Sequence, residues 1–169
     1  VTPAGTTNST QVSGFKITSA YGSTEGFRTK AHGGLDIGTP VGTSVALGED
    51  GEIVAAGKYG GYGNLIDAWL PTSGIQLRMA HLSSIIKTTG SFKSGEVIGK
   101  TGGAAGDPGA GSSTGPHLHF EVDSQKGGTA YGGSGDPTPF ASLLMLGGGT
   151  TGIPKPKPGP PPTMTATTN

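Results

Sequence analysis

The chain has 169 residues, among them 34 glycines, 13 prolines and no cysteine, and its 11 basic residues balance 11 acidic ones. Balanced charge removes the electrostatic case for nucleic acid or an anionic membrane as partner, the lack of cysteine excludes disulfides and thiolate metal sites, and no apolar stretch approaches the ~20 residues that would span a bilayer. Glycine and proline at this level approach the composition of disordered chains, but short apolar runs recur regularly, so the glycines read as the turn residues of an all-β domain.

In chain order, residues 1–13 are small and polar and read as an extended leader. The opening at Val1 without a signal-like segment suits a processed product or an excised piece. From Gly14 the pattern changes. Phe15–Thr18 alternates apolar and polar, as a half-buried strand does. Further strands are expected at Ser44–Leu47, Gly51–Ala56, Asn64–Trp69, Ile75–Ala80, Glu96–Gly99 and His117–Val122, separated by turn segments such as Pro71-Thr72-Ser73-Gly74. Closely spaced strands with short turns predict antiparallel sheets. Leu82–Ile86 reads as a short helical or turn segment. Pro139–Leu146 is the helix candidate, with proline at its start and glycines after its end. Residues 14–146 thus form one domain. Residues 147–169 are a Gly-, Pro- and Thr-rich linker or tail with polyproline II character.

The chemistry lies in the four histidines. In His117-Leu118-His119 a strand would turn Leu118 and Phe120 to the core and both imidazoles to the opposite face. Two such rings can share a metal, or one can bind it while the other works beside it. His32 and Asp36 are four apart, and Gly33-Gly34 between them disfavours a helix by about 1 kcal/mol per glycine. An extended segment fits better, with the glycines admitting close backbone neighbours. His32, Asp36 and His119 together offer two nitrogens and one carboxylate, a set of three that leaves a fourth position for water, as in catalytic zinc sites. His81 and His117 remain to move protons and stabilise charge. Glu121, two residues beyond His119, is a candidate acceptor for the other nitrogen of a ligand imidazole.

At these residues the chain resembles the M23 zinc metallopeptidases, the lysostaphin and LytM type of peptidoglycan endopeptidase. The family pattern H-x-x-x-D, H-L-S and G-P-H-L-H-F-E stands here as His32-Gly33-Gly34-Leu35-Asp36, His81-Leu82-Ser83 and Gly115-Pro116-His117-Leu118-His119-Phe120-Glu121, and the likeness extends over residues 15–145. The resemblance implies an antiparallel β core with a loop-walled groove and one zinc ion on His32, Asp36 and His119. His81 and His117 would flank the attacking water, with peptidoglycan stem peptides or cross-bridges as substrate. Tyr21, Tyr62 and Asn64 are expected along the groove. Two departures stand out. The position two before the H-L-S histidine, often tyrosine in relatives, is Met79 and cannot donate a hydrogen bond. The loop between Gly102 and Gly115 is longer than in many relatives and should reshape one groove wall.

The expected setting is extracellular, on the bacterial wall. A virion-associated phage lysin or a secreted bacterial hydrolase would both fit, with the termini as the route into a larger assembly. A non-catalytic wall-binding module on the same fold is the alternative from another class. A mononuclear iron oxygenase, which also uses two histidines and a carboxylate, leaves two histidines unexplained.

Overall fold

Residues 10–24, 29–129 and 131–148 are described by a computed structural model. Twelve strands follow one another in these residues: β1 (Gln11–Val12), β2 (Phe15–Ser19), β3 (Leu35–Ile37), β4 (Ser44–Leu47), β5 (Gly51–Tyr59), β6 (Gly63–Leu70), β7 (Ile75–Ala80), β8 (Leu82–Ile85), β9 (Ser91–Phe92), β10 (Val97–Thr101), β11 (Leu118–Asp123) and β12 (Leu144–Leu146). They make an eight-stranded sheet in the order β1-β2-β3-β11-β7-β6-β5-β9 and a four-stranded sheet in the order β12-β4-β10-β8. Every strand pairing is antiparallel. The all-β antiparallel expectation holds.

Alternation along the strands builds one core shared by both sheets. Leu35, Ile37, Ile66, Leu77, Met79, Leu118 and Phe120 of the large sheet join Val45, Leu47, Ile98 and Leu144 of the small one in a single buried cluster. Each such side chain contributes about 1.5–3 kcal/mol when taken from water.

Three expectations need correction. Gln11 and Val12, expected in the leader, belong to the fold, because β1 pairs with β2 and Val12 is fully buried in the core; residues 1–9 lie outside the described residues. Leu82–Ile85 is a strand, held by β10 on the small sheet. The helix expected over Pro139–Leu146 is a 3₁₀ turn at Thr138–Leu143 that passes directly into β12. Leu144, Met145 and Leu146 pair with Leu47, Ala46 and Val45, so the ladder hydrogen bonds of an edge strand override local helix preference. Residues 149–169, most of the expected tail, also lie outside the described residues.

The two ends of the domain are clasped together. Ser13, at a φ of 51°, donates its hydroxyl to the Leu144 carbonyl at 2.8 Å and accepts from the Leu146 amide at 3.3 Å.

Candidate active site

The face of the large sheet opposite the core carries the polar chemistry. On β11, Leu118 and Phe120 point inward and His119 outward, directly opposite Asp36 of β3 and Ala80 of β7. His32 stands in the loop before β3, where its Nδ1 lies 3.2 Å from both the Ala20 carbonyl and the Ser19 hydroxyl. With Nδ1 donating to that carbonyl, Nε2 is left to the site.

Three atoms meet there. His32 Nε2 is 3.2 Å from Asp36 Oδ1, which is 2.9 Å from His119 Nδ1, and the two nitrogens are 3.3 Å apart. A tetrahedral zinc with bonds of about 2.0–2.1 Å separates its ligand atoms by about 3.3 Å. The trio is thus gathered at nearly the spacing a metal needs, with the nitrogen and oxygen donors a borderline cation takes, and could hold a metal ion.

Gly34 makes this approach possible. A Cβ there would stand 2.6 Å from His119 Cε1 and 2.7 Å from the Phe120 carbonyl. Gly34 thus leaves room for the His119 ring, and Gly33, whose Cβ would stand 2.6 Å from Gly132 Cα, for the backbone there.

His81 and His117 stand beside the trio. Their ring centroids are 4.9 Å apart, edge to face, and His81 is 5.7 Å from the His119 ring. His81 follows β7, whose alternation would send it into the core after Met79. It instead adopts a φ of +60°, which breaks the alternation and brings the ring to the groove. Non-glycine residues take that conformation rarely, and strain of this kind gathers at functional sites. His117 anchors its Nδ1 on the Gly115 carbonyl at 2.8 Å, leaving Nε2 3.6 Å from Asp36 Oδ1.

The groove above these residues has a volume of about 920 Å³. Ser112 to Pro116 of the long loop line it, as do Tyr62 and Tyr131, so the loop does form a wall. That loop is fastened to the turn before β6 by the Ser112 backbone amide on the Gly61 carbonyl and to β6 itself by the Asn64 backbone amide on the Gly109 carbonyl, both at 2.9 Å. A side chain at Gly63 would collide with the Gly109 carbonyl.

Of the expected groove residues, Tyr62 lines the cavity, whereas Tyr21 and Asn64 do not. Asn64 instead donates to the Leu82 carbonyl at 3.1 Å, a tie between β6 and β8. Met79 is fully buried in the core, opposite Phe120. Its position in this fold faces away from the groove, and its lack of a donor has no consequence there.

Electrostatics divide the histidines. Burial holds His81 down at about 4, helped by the neighbouring His117 and His119 rings, so it is neutral near pH 7. Burial would lower His119 too, but Asp36 and Glu121, hydrogen-bonded to its two nitrogens, raise it to about 9. Burial opposes ionisation of Asp36, yet the His119 and His32 rings more than offset it and hold its carboxyl well below the usual range.

These shifts predict the pH profile of the metal-free protein. His119 binds its proton more tightly folded than unfolded, so its stabilisation is present below its unfolded value of about 6.5 and is lost as pH rises through about 9. His81 acts in the opposite sense: folding disfavours its proton, so stability falls as pH drops from about 6.5 toward 4. Urea midpoints measured in chelator are expected to peak between these limits. A midpoint rising steadily from pH 6.5 to 9 would contradict the assignment.

Around His119 lies a shell of polar side chains, of which the sequence singles out Glu121 and, as a groove residue, Tyr62. His119 Nε2 is 2.7 Å from Glu121 Oε1, and the Tyr62 hydroxyl donates to the same carboxylate at 2.9 Å. Beyond it, Arg78 forms two 2.8 Å hydrogen bonds to Asp67. A signal was present: the turn at residues 71–74 pairs Leu70 with Ile75, and counting back along the hairpin sets Asp67 opposite Arg78. A lone acid and a lone base at matching depth in two apolar strands announce a buried pair. Truncating either would leave an uncompensated charge at a cost of about 3–5 kcal/mol. Tyr131, whose ring lies 5.9 Å from that of Tyr62, was also missed, because it falls in a loop without periodicity.

Comparison with known proteins bears directly on this constellation. The model of peptidase family M23 matches residues 30–131, which include all four histidines and Asp36. The chain belongs to peptidase family M23. Within M23 it is similar to the DD-carboxypeptidase/endopeptidase Mpg of Neisseria meningitidis, 40% identical over 93 residues, covering 55% of this chain and 20% of that protein. The glycyl-glycine endopeptidase ALE-1 of Staphylococcus capitis is 36% identical over 126 residues, covering 71% of this chain and 32% of that one. Among solved structures, the catalytic domain of the antimicrobial peptidase lysostaphin from Staphylococcus simulans superposes with a TM-score of 0.63 at 30% identity, covering 75% of this chain and 92% of that one. The chain thus spans a third or less of these two curated relatives, in keeping with an M23 peptidase domain.

Proposed function

We propose that the chain is a zinc-dependent endopeptidase that hydrolyses peptide bonds in bacterial peptidoglycan, acting outside the cell on the wall. The observation that carries this reading is the convergence of His32 Nε2, Asp36 Oδ1 and His119 Nδ1 at the floor of an open groove, with two more imidazoles beside them. Zinc held by those three atoms would supply a Lewis acid and bring the pKa of a water toward about 7.

The chain's own residues then divide the work. His117 is set to accept a proton, because its Nδ1–H is committed to the Gly115 carbonyl and its Nε2 lone pair faces the site. His81, neutral and buried, presents a second imidazole against which charge on the scissile carbonyl oxygen is stabilised. The groove orients an extended peptide between the Ser112–Pro116 wall and the Tyr62 and Tyr131 rings. The bonds named for Mpg and ALE-1 differ, so the bridge preference of this chain is its own property, set by the long loop. A secreted hydrolase and a virion-associated lysin would use the same chemistry.

The test is digestion of purified peptidoglycan of directly cross-linked and glycine-bridged types, followed by mass spectrometry of the released fragments. New amino termini are expected with zinc present. Chelator should lower the rate more than about 100-fold and added zinc restore it. Binding to the wall without new termini would identify a non-catalytic module instead.

A further inference from the structure

Neighbouring strands set three charged side chains in one row. Asp67 of β6 pairs with Arg78 of β7, and Arg78 with Glu121 of β11. All three are buried. Arg78 commits Nε and Nη2 to the two Asp67 oxygens, which fixes the plane of its guanidinium and directs Nη1 toward Glu121 Oε2 at 3.8 Å. The same guanidinium lies 4.8 Å from the centre of the Tyr62 ring, and the Tyr62 hydroxyl donates to Glu121. Glu121 is therefore held by Arg78 and Tyr62 while its Oε1 accepts from His119 Nε2. We propose that the Arg78–Asp67 pair is a positioning device for His119: it aims Glu121, Glu121 fixes the tautomer and rotation of the ring, and Nδ1 is thereby presented to the metal.

The inference rests on the reading of His119 as a zinc ligand. A carboxylate on the outer nitrogen of a ligand imidazole orients the ring, and loss of such a partner typically weakens metal binding 10–100-fold. Without Arg78, Glu121 would share the face with Asp67 and no cation between them, and would turn away. A purely architectural role for the pair would knit β6 to β7 and leave the metal indifferent to it.

Zinc dissociation constants, measured by competition with a chromogenic chelator on protein shown to be folded by circular dichroism, separate the two. Arg78→Met is expected to raise the zinc dissociation constant about 10–100-fold. Glu121→Gln should do the same, and the double variant should be no weaker than Glu121→Gln alone, because Arg78 acts through Glu121. Cobalt-loaded Arg78→Met should show an altered visible spectrum. A variant that loses thermal stability but keeps parental zinc affinity overturns the proposal, as does additivity in the double variant. Should Arg78→Met fail to fold, Asp67→Asn and Tyr62→Phe each remove single hydrogen bonds and should weaken zinc a few-fold; parental affinity in both overturns it equally. A parent protein that binds no zinc would instead refute the metal site itself.

Discussion

His119→Ala is expected to release the zinc and to abolish wall digestion, with a rate loss of about 10⁴-fold or more. The size follows from what is removed together. Two ligand atoms cannot hold the ion in a three-ligand site, and without it a water keeps a pKa of about 15.7 instead of about 7. Asp36 would keep the His32 and His117 rings beside it but lose His119, and Glu121 would lose the imidazole to which it is bonded at 2.7 Å. Metal analysis of the folded variant, alongside turbidity loss of purified walls, measures both effects. A variant that retains one equivalent of zinc, or lyses at the parental rate, would sink the assignment of His119.

His117→Ala should separate from that result cleanly. The ring sits next to the trio, and its Nε2 is 3.6 Å from Asp36 Oδ1, so zinc is expected to stay bound. Loss of a positioned proton acceptor costs about 10²–10⁴-fold in rate, and here it should fall on kcat with KM little changed. His81→Ala is expected to behave alike. Equal loss of zinc in His117→Ala and His119→Ala would mean that the four histidines act as one ligand cluster and that the division of labour is wrong.

Much of this was legible in the sequence because it rests on short-range rules. The alternation in His117–Val122 placed Leu118 and Phe120 inward and the histidines outward, and the structure agrees. The glycines after His32 read as room for close neighbours, and the neighbours are the His119 ring at Gly34 and the Gly132 backbone at Gly33. What failed depends on partners far along the chain. Leu82–Ile85 and Leu144–Leu146 have no strand pattern of their own; β10 and β4 make them strands by supplying hydrogen bonds. Val12 is buried by β2 and the core although its surroundings in sequence are polar. Met79 stands out in the sequence as the position, two before His81, where relatives often carry tyrosine. The left-handed backbone at His81 breaks the alternation there and puts the two on opposite sides of the sheet, and nothing in the composition of Arg78-Met79-Ala80-His81 signals that reversal.

The clasp between Ser13 and Leu144 has an architectural consequence. Among the described residues, the segments around β1 and β12 are brought side by side, joined by a hydrogen bond of 2.8 Å. A domain with its entry and exit side by side can be spliced into a surface loop of another protein without stretching either partner. The groove residues all lie within the stretch between those two segments, so the closure of the ends leaves the groove untouched.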